Sequence, residues 1–230
     1  MSRFILVLLA VVLSAQAQEG WVVPFAAAYH PDVSGFNAKF AAKGLPEARS
    51  RHFGWGIEVR SLTKNLLVGP MYMRAWDDME NARFQLRTET SVVLGEVGLK
   101  LSPVSFLTIV PMLGLGGMSQ SFHLRAKTGD LPLDSLLLSP GQTADILSGM
   151  NFAGMAALEL GLAANTGGGR YGVALRGGYL YSPLNLSWHL ANGAKLTGTP
   201  DSKLGGLFVT VGVLIMPAAQ TTETSSPFGG

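Results

Sequence analysis

The chain has 230 residues and no Cys, and its 17 Lys and Arg against 15 Asp and Glu form no basic stripe. This nearly balanced charge excludes the usual footprint of a nucleic-acid-binding protein, and the lack of Cys excludes a disulfide framework. Hydrophobic residues make up 47% of the chain and charged residues only 14%, whereas soluble domains have about 25% charged residues, so much of the surface must face something other than water.

A signal peptide is predicted at residues 1–17. Arg3 precedes an apolar run from Phe4 to Leu13, and Ala15-Gln16-Ala17 supplies a small-x-small cleavage site. The run of about ten residues is too short for a helix that crosses a bilayer roughly 30 Å thick, which argues against an uncleaved anchor. No Cys follows the run to carry a lipid, and no later apolar stretch is long enough for a helical span. We therefore expect an exported protein whose mature chain begins at Gln18.

Eight segments in which apolar and polar residues alternate follow the leader, and each is predicted as a β-strand. They are residues 21–29, 53–61, 66–76, 83–101, 106–125, 150–165, 171–181 and 204–216. The connections after the second, fourth and sixth strands are short (62–65, 102–105 and 166–170), whereas those after the first, fifth and seventh are long (30–52, 126–149 and 182–203). Short turns on one rim and long loops on the other are typical of outer-membrane barrels, whose short turns face the periplasm.

The sequence thus predicts an all-β fold, an eight-stranded antiparallel up-and-down transmembrane β-barrel over residues 18–217. A tail rich in Thr, Ser and Gly, residues 218–230, follows it, and its composition predicts disorder. The fourth strand changes phase, because polar residues alternate from Arg83 to Ser91 but Glu96 and Lys100 occupy the opposite positions. Either a β-bulge near Val92 and Val93 reconciles the two halves, or the first half projects above the membrane, where both faces can be polar.

Aromatic residues cluster near both ends of the predicted strands, as in the interfacial girdles of a lipid-embedded barrel. The predicted girdle comprises Trp21, Tyr29, Phe53, Trp76, Phe84, Phe106, Phe122, Phe152, Tyr171 and Tyr181. In strand count, turn lengths and aromatic ends the chain resembles the small eight-stranded outer-membrane barrels of the OmpA-domain and OmpX type. The resemblance implies the cell envelope of a Gram-negative-type cell, with outer-membrane lipid and the outer-membrane insertion machinery as partners. The chain departs from that family after Met216, because a typical member ends its last strand on a terminal aromatic residue.

Charged residues at predicted inward positions suggest an ionic network in the lumen. The predicted network comprises Glu58, Arg60, Arg74, Glu96, Lys100, Glu159 and Arg176. Glu159 and Arg176 are equidistant from the centre of the Gly-rich sixth turn, so they should face one another on neighbouring strands. An eight-stranded barrel is only wide enough for its side chains to fill it, which predicts paired charges in a plugged interior. The alternative is a porin-like narrow pore gated by those pairs.

Two long loops have predicted structure of their own. Residues 32–43 predict a helix in the first loop, with Asp32 as its cap, Gly44 as its end and an apolar stripe of Val33, Phe36 and Phe40. That helix is either a lid on the loop rim or a plug or lateral gate for a small hydrophobic ligand. In the seventh connection, Asn192-Gly193 predicts a hairpin turn, and a ribbon there would offer an edge for a surface adhesion partner.

Enzyme signals are weak. Four His are present, and Ser121 lies near His123 with Asp or Glu available in loops, but no phosphate-binding loop, metal-spacing cluster or dinucleotide motif accompanies them. We therefore predict a non-enzymatic protein without cofactor or metal. Some barrels of the resembled class are lipid A-modifying enzymes that use His with Ser or Asp, and this alternative predicts that His123→Ala abolishes a lipid modification.

The predicted function is that of an outer-membrane barrel which is structural or adhesive, or which passes small apolar molecules. The competing hypothesis is a soluble periplasmic barrel of the lipocalin type that binds a ligand. In that case the apolar face would lie inside, and Glu159 and Arg176 would point to water.

Overall fold

Eight antiparallel strands close into a barrel in the computed structural model of this protein. They are β1 (Glu19–Pro31), β2 (His52–Thr63), β3 (Leu66–Glu80), β4 (Phe84–Leu99), β6 (Leu107–Ala126), β8 (Asn151–Thr166), β9 (Gly169–Asn185) and β11 (Lys203–Pro217). Outside this ring lie three short strands, β5 (Leu101–Val104), β7 (Thr143–Ser148) and β10 (Trp188–Leu190), and one helix, α1 (Ser34–Ala41). The structure describes residues 19–127, 143–166, 169–185, 187–197, 199 and 203–217. The predicted signal peptide, the predicted tail and part of the sixth turn lie outside the described residues.

The ring has up-and-down topology. Each barrel strand pairs with the next barrel strand along the chain, and β11 pairs with β1 to close the ring. The β3–β4 register runs without a break from Leu66 opposite Leu99 to Glu80 opposite Gln85. The predicted fold class is therefore confirmed. The predicted bulge near Val92 is wrong, since the polar half of β4 projects beyond the apolar part of the barrel in unbroken register.

Side chains alternate between the outside of the barrel and its interior because successive residues of a strand point to opposite faces. On β11, Val209 and Val211 are about half exposed, whereas Phe208 is buried. The same alternation on neighbouring strands produces a band of exposed apolar side chains, which we call the apolar belt. It includes Leu113, Leu115, Leu158, Leu160, Leu162, Val173, Leu175, Val209 and Val211. An apolar exterior of this kind fits hydrocarbon rather than water as the surroundings.

The barrel interior accommodates large side chains opposite glycines. Phe25 on β1 faces Gly56 on β2, and a Cβ on Gly56 would lie 2.2 Å from the Phe25 ring. Phe208 on β11 faces Gly178 on β9 in the same way. These pairs fill the interior with aromatic rings where the neighbouring strand has no side chain.

Gly69 brings two strands together at the point where Arg60 enters the interior. A Cβ at Gly69 would lie 1.8 Å from the Val59 carbonyl oxygen on β2, so the backbone itself would have to move. We expect Gly69→Ala to lower the free energy of unfolding by about 1–3 kcal/mol, the usual cost of overpacking. Urea titration of the refolded barrel measures this loss. Gly177→Ala is the control, since a Cβ there meets nothing within 4 Å, and an equal loss in both variants would contradict the steric explanation.

On the side of the long loops, β3, β4 and β6 extend beyond the apolar belt, and the short strands β7 and β10 add to them. The end of β6, from Ser121 to Arg125, pairs with β7 instead of β8, and β10 adds to the outer edge of β7. The predicted turn at Asn192-Gly193 is present, because the Gly193 amide donates to the Leu190 carbonyl at 2.8 Å and Gly193 has a φ of 85°. The result is a small sheet that stands on the loop rim.

Helix α1 is two residues shorter at each end than predicted. Asp32 does not serve as the N-cap, which is Val33; instead its carboxylate accepts a hydrogen bond from the Ser34 amide at 3.1 Å. At the other end Gly44 has a φ of 66°, and the Leu45 amide donates to the Phe40 carbonyl at 3.0 Å, a Schellman-type ending. In the described part of the chain no helix is long and apolar enough to cross a membrane.

Candidate functional site

Five charged side chains meet inside the barrel, between its two rims. They are Glu58 and Arg60 on β2, Glu96 on β4, Glu159 on β8 and Arg176 on β9, and we call them the ion cluster. Each is only 1–3% exposed. Because unpaired charge is expensive to bury, a cluster at this depth must satisfy its charges internally.

The two guanidinium groups bridge the three carboxylates. Arg60 donates two parallel hydrogen bonds to Glu159, at 2.6 and 2.5 Å, and a further one to Glu58 at 2.7 Å. Arg176 donates to Glu159 at 2.9 Å and to Glu96 at 3.1 Å, and it also bonds Glu58. Glu159 and Arg176 lie directly opposite each other in the β8–β9 register, as their spacing predicted. The lipocalin-like hypothesis is wrong on this point, since it requires both residues to face water.

Two residues of the predicted network lie elsewhere. Arg74 is on the outer face of β3, where its guanidinium donates to Glu89 at 2.7 Å. Both faces of β3 are apolar around it, so alternation alone did not reveal which face points inward. Lys100 follows β4 at the turn rim, and its ammonium lies over the ring of Trp21 at 5.1 Å. It is therefore not among the five residues of the ion cluster.

Six residues of the predicted aromatic girdle lie on the outer face, and their position at a membrane interface stays a prediction. Phe53, Phe106, Phe152, Tyr171 and Tyr181 are 44–59% exposed, and half-buried Trp76 is on the same face. The prediction is wrong for four others. Trp21, Tyr29 and Phe122 are buried in the interior, and Phe84 shares the inward parity of β4 at its loop end. A position near the end of a strand does not show which face a residue is on. For Trp21 and Tyr29 the alternation did not show it either, because β1 has apolar residues on both of its faces.

Helix α1 covers the barrel mouth on the loop side. Phe36 packs its ring against Phe122 at 4.5 Å and against Trp188 at 4.6 Å, between ring centroids, and Phe40 lies 5.6 Å from Phe122. Val33, Met79 and Leu86 belong to the same buried group, which we call the mouth cluster together with these aromatic residues.

The chain after α1 is tied to the helix. The side chain of Asn37 donates to the Ala48 carbonyl at 2.7 Å and accepts from the Ala48 amide at 2.8 Å. Asn81, in the loop after β3, donates to the Gly44 carbonyl at 3.1 Å. The first loop is therefore fastened both to itself and to a neighbouring loop over the mouth.

A polar surface lies on the outside of the projecting strands, just beyond the apolar belt. Ser121 and His123 are two residues apart on the outer face of β6, and Asp145 on β7 lies directly opposite His123. The Ser121 hydroxyl is 3.1 Å from His123 Nε2, and His123 Nδ1 is 2.8 Å from Asp145 Oδ1. The sequence singled out Ser121 and His123 but not Asp145, which is in the long fifth connection. The alternation in residues 143–148 was the only local signal for a strand there.

An open cleft of about 650 Å³ is lined by His123 on one side. Its lining includes Arg74, Asp78, Glu80, Arg87, Glu89, His123 and Arg125. Arg87 lies opposite His123 in the β4–β6 register and places its guanidinium 5.6 Å from the centre of the Trp76 ring. A hydrogen bond from Lys127, at 2.9 Å, lowers the pKa of the exposed Glu80 carboxyl. The cleft thus combines guanidinium groups, carboxylates and one imidazole at the level where β3, β4 and β6 leave the belt.

Comparison with known proteins identifies the fold. A major outer membrane protein from Thermus thermophilus superposes with a TM-score of 0.50 at 11% sequence identity, over 86% of this chain and 98% of that one. The fold is that of a small outer-membrane β-barrel. Ail, the attachment invasion locus protein of Yersinia pestis, matches with a TM-score of 0.48 at 10% identity, over 86% of this chain and 98% of its own. Neisserial surface protein A matches with a TM-score of 0.41 at 14% identity, over 84% and 96% of the two chains.

Sequence comparison adds no relative. No family model matches the chain, and no curated protein matches it. The structural comparison confirms the resemblance to small eight-stranded outer-membrane barrels as a likeness of fold. A closed barrel with an apolar belt is the form in which β-sheet spans an outer membrane, and the expected location follows from it.

Proposed function

We propose that this protein is a non-conducting structural barrel of the outer membrane, which anchors an ordered platform on the side of the long loops. The observation that carries the proposal is the burial of the ion cluster. A water-filled channel past these residues would expose them, yet all five are 1–3% exposed. The guanidinium groups of Arg60 and Arg176 join carboxylates from three strands across the lumen, which supports a lumen closed to ions.

Passage of small apolar molecules through the lumen is a weaker candidate. That function needs an apolar chamber beneath helix α1. Below Leu86 and Phe122 of the mouth cluster, the next inward residues are Thr88 and Thr90 on β4 and Gln120 on β6, and all three are buried. An apolar layer that includes Val92, Leu94 and Met118 lies below them, and the ion cluster follows further down. The polar layer and the ion cluster both oppose the transfer of an apolar molecule along the axis, so we assign α1 the role of a lid.

Single-channel recording tests the proposal. The chain reconstituted in planar bilayers should give no steady conductance steps, whereas a general porin in the same bilayer does. Phe36→Ala opens packing space in the lid while leaving the ion cluster intact, and it should remain silent as well. Conductance steps in the unaltered chain, with ion selectivity that changes in Glu159→Gln, would overturn the proposal and support the pore hypothesis.

A further inference from the structure

We propose that Ser121, His123 and Asp145 form a hydrolytic site on the outside of the barrel, which cleaves acyl esters of lipids in the outer leaflet. This activity is independent of the sealed lumen. The non-enzymatic prediction considered Ser121 and His123 without a located acid, and the structure supplies that acid from β7.

The order of the hydrogen bonds is the one that nucleophilic catalysis requires. The Asp145 carboxylate can only accept, so the proton of the 2.8 Å bond is on His123 Nδ1. His123 Nε2 then presents its lone pair to the Ser121 hydroxyl, which donates to it at 3.1 Å. This arrangement has a nucleophile, a base and a carboxylate that orients the base, and such triads are recognised by geometry rather than by sequence order.

The three residues are held by regular structure and remain accessible. Ser121 and His123 share one face of β6 because they are two residues apart, and the ladder fixes Asp145 beside His123. The His123 side chain is 31% exposed and that of Asp145 is 41% exposed. A substrate at the outer surface can therefore reach the imidazole without any opening of the barrel.

The position of Ser121 points to a lipid as substrate. Its ladder row continues through Glu89 and Trp76 to Phe53, so Ser121 shares a row with two aromatic residues of the outer face. Towards the belt on β6, Gly117 pairs with exposed Phe152, and the side chain of Met150 lies over Gly117. An acyl chain lying along this apolar surface would bring its ester group, at the boundary between hydrocarbon and headgroups, close to Ser121.

The cleft favours a substrate with an anionic headgroup. Arg87 lies opposite His123, and Arg125 is two residues beyond it on the same face of β6; both line the cleft. Guanidinium groups bind phosphate oxygens through paired hydrogen bonds. The carboxylates that line the cleft are paired, Glu89 with Arg74, Glu80 with Lys127 and Asp78 with Arg87 at 3.8 Å, which reduces their repulsion of an anion. An anionic headgroup would therefore compete with Asp78 for Arg87, whereas Arg125 adds a second guanidinium at the cleft.

The reaction is ordinary ester hydrolysis through an acyl-enzyme. Ser121 Oγ attacks the ester carbonyl carbon while His123 Nε2 takes the hydroxyl proton. The tetrahedral intermediate collapses, the C–O bond to the alcohol breaks, and His123 returns that proton to the departing alkoxide. Water then attacks the acyl-serine with His123 again as base, and the carboxylic acid leaves as Ser121 regains its proton. One ester and one water give one acid and one alcohol.

A covalent probe and a lipid assay test the site on the refolded full-length chain. A fluorescent alkyl fluorophosphonate should label the unaltered chain and Ser119→Ala, whose substitution is on the same face two residues away, but not Ser121→Ala. His123→Ala should slow release of fatty acid from lipid vesicles by about 10²–10⁴-fold, the usual contribution of a general base. Heat-dependent mobility on a gel shows that each variant still forms a closed barrel.

Two vesicle compositions identify the source of the ester. Anionic glycerophospholipid vesicles and vesicles that contain lipopolysaccharide are assayed in parallel, and release of fatty acid from either one supports the site. No labelling and no release from either composition would overturn the proposal, as would undiminished release by folded Ser121→Ala. Because single-channel recording does not depend on Ser121, failure here leaves the proposal of a sealed barrel to its own test.

Discussion

Arg176→Met should lower the free energy of unfolding of the barrel by about 3–5 kcal/mol, the range for breaking a buried ion pair by removal of one partner. Arg176 contacts all three carboxylates of the ion cluster, and it donates two hydrogen bonds to Glu96. Methionine is unbranched and uncharged, so in this variant Arg60 is the one guanidinium left in the ion cluster beside three buried acidic side chains. Equilibrium unfolding in urea, with the chain refolded in lipid vesicles, measures the loss.

Glu96→Gln is the matched control. The ion cluster holds three acidic side chains against two guanidinium groups, so this change removes one ionisable group and keeps an oxygen to accept from Arg176. Its expected effect is below about 1.5 kcal/mol, in the range of one ordinary hydrogen bond. In the double variant Arg176→Met/Glu96→Gln, part of the loss should be recovered, since residues within one network do not act additively. Equal losses in the two single variants would contradict a charge-based explanation.

The topology was predictable because one physical rule repeats along the chain. Alternation marked all eight barrel strands, and the lengths of the connections gave their directions. The cost of placing a charged side chain in lipid also predicted that β2, β4, β8 and β9 contribute to the ion cluster. A shift of the strand register by one residue would turn Glu159 and Arg176 towards lipid. These predictions depended only on local pattern and on the equal spacing of Glu159 and Arg176 from their turn.

The errors arose where local pattern is the same on both faces. On β1, Trp21 and Tyr29 alternate with valine, proline and alanine, so only the barrel's curvature and the space left by glycines decide that the large residues lie inside. Arg74 likewise alternates with Met73 and Ala75, and its outward direction is set by the β3–β4 register. Asp145 became part of a triad through long-range pairing of β7 with the projecting end of β6. Local sequence does not contain that information.

Leu113→Arg should cost about 2–4 kcal/mol in a bilayer, whereas Ser119→Arg should cost about 0–1 kcal/mol. Both positions are on the outer face of β6, six residues apart, so strand, face and introduced side chain are the same. Leu113 is 62% exposed within the apolar belt. Ser119 lies beyond it, in the ladder row of Ser91 and Arg74, and Arg74 lines the polar cleft. Arginine at Leu113 must enter hydrocarbon, but at Ser119 it reaches headgroups and water.

The measurement is urea unfolding in phosphatidylcholine vesicles, repeated in detergent micelles. In micelles the difference between the two variants should shrink, because a micelle adapts to the charge more readily than a bilayer does. Small losses at both positions in vesicles would contradict the assignment of the apolar belt to lipid. Large losses at both positions would move the membrane boundary towards the loop rim and would place Ser121 within the hydrocarbon, where the water needed for hydrolysis is disfavoured. The membrane position of β6 therefore bears on both the fold and the proposed hydrolytic site.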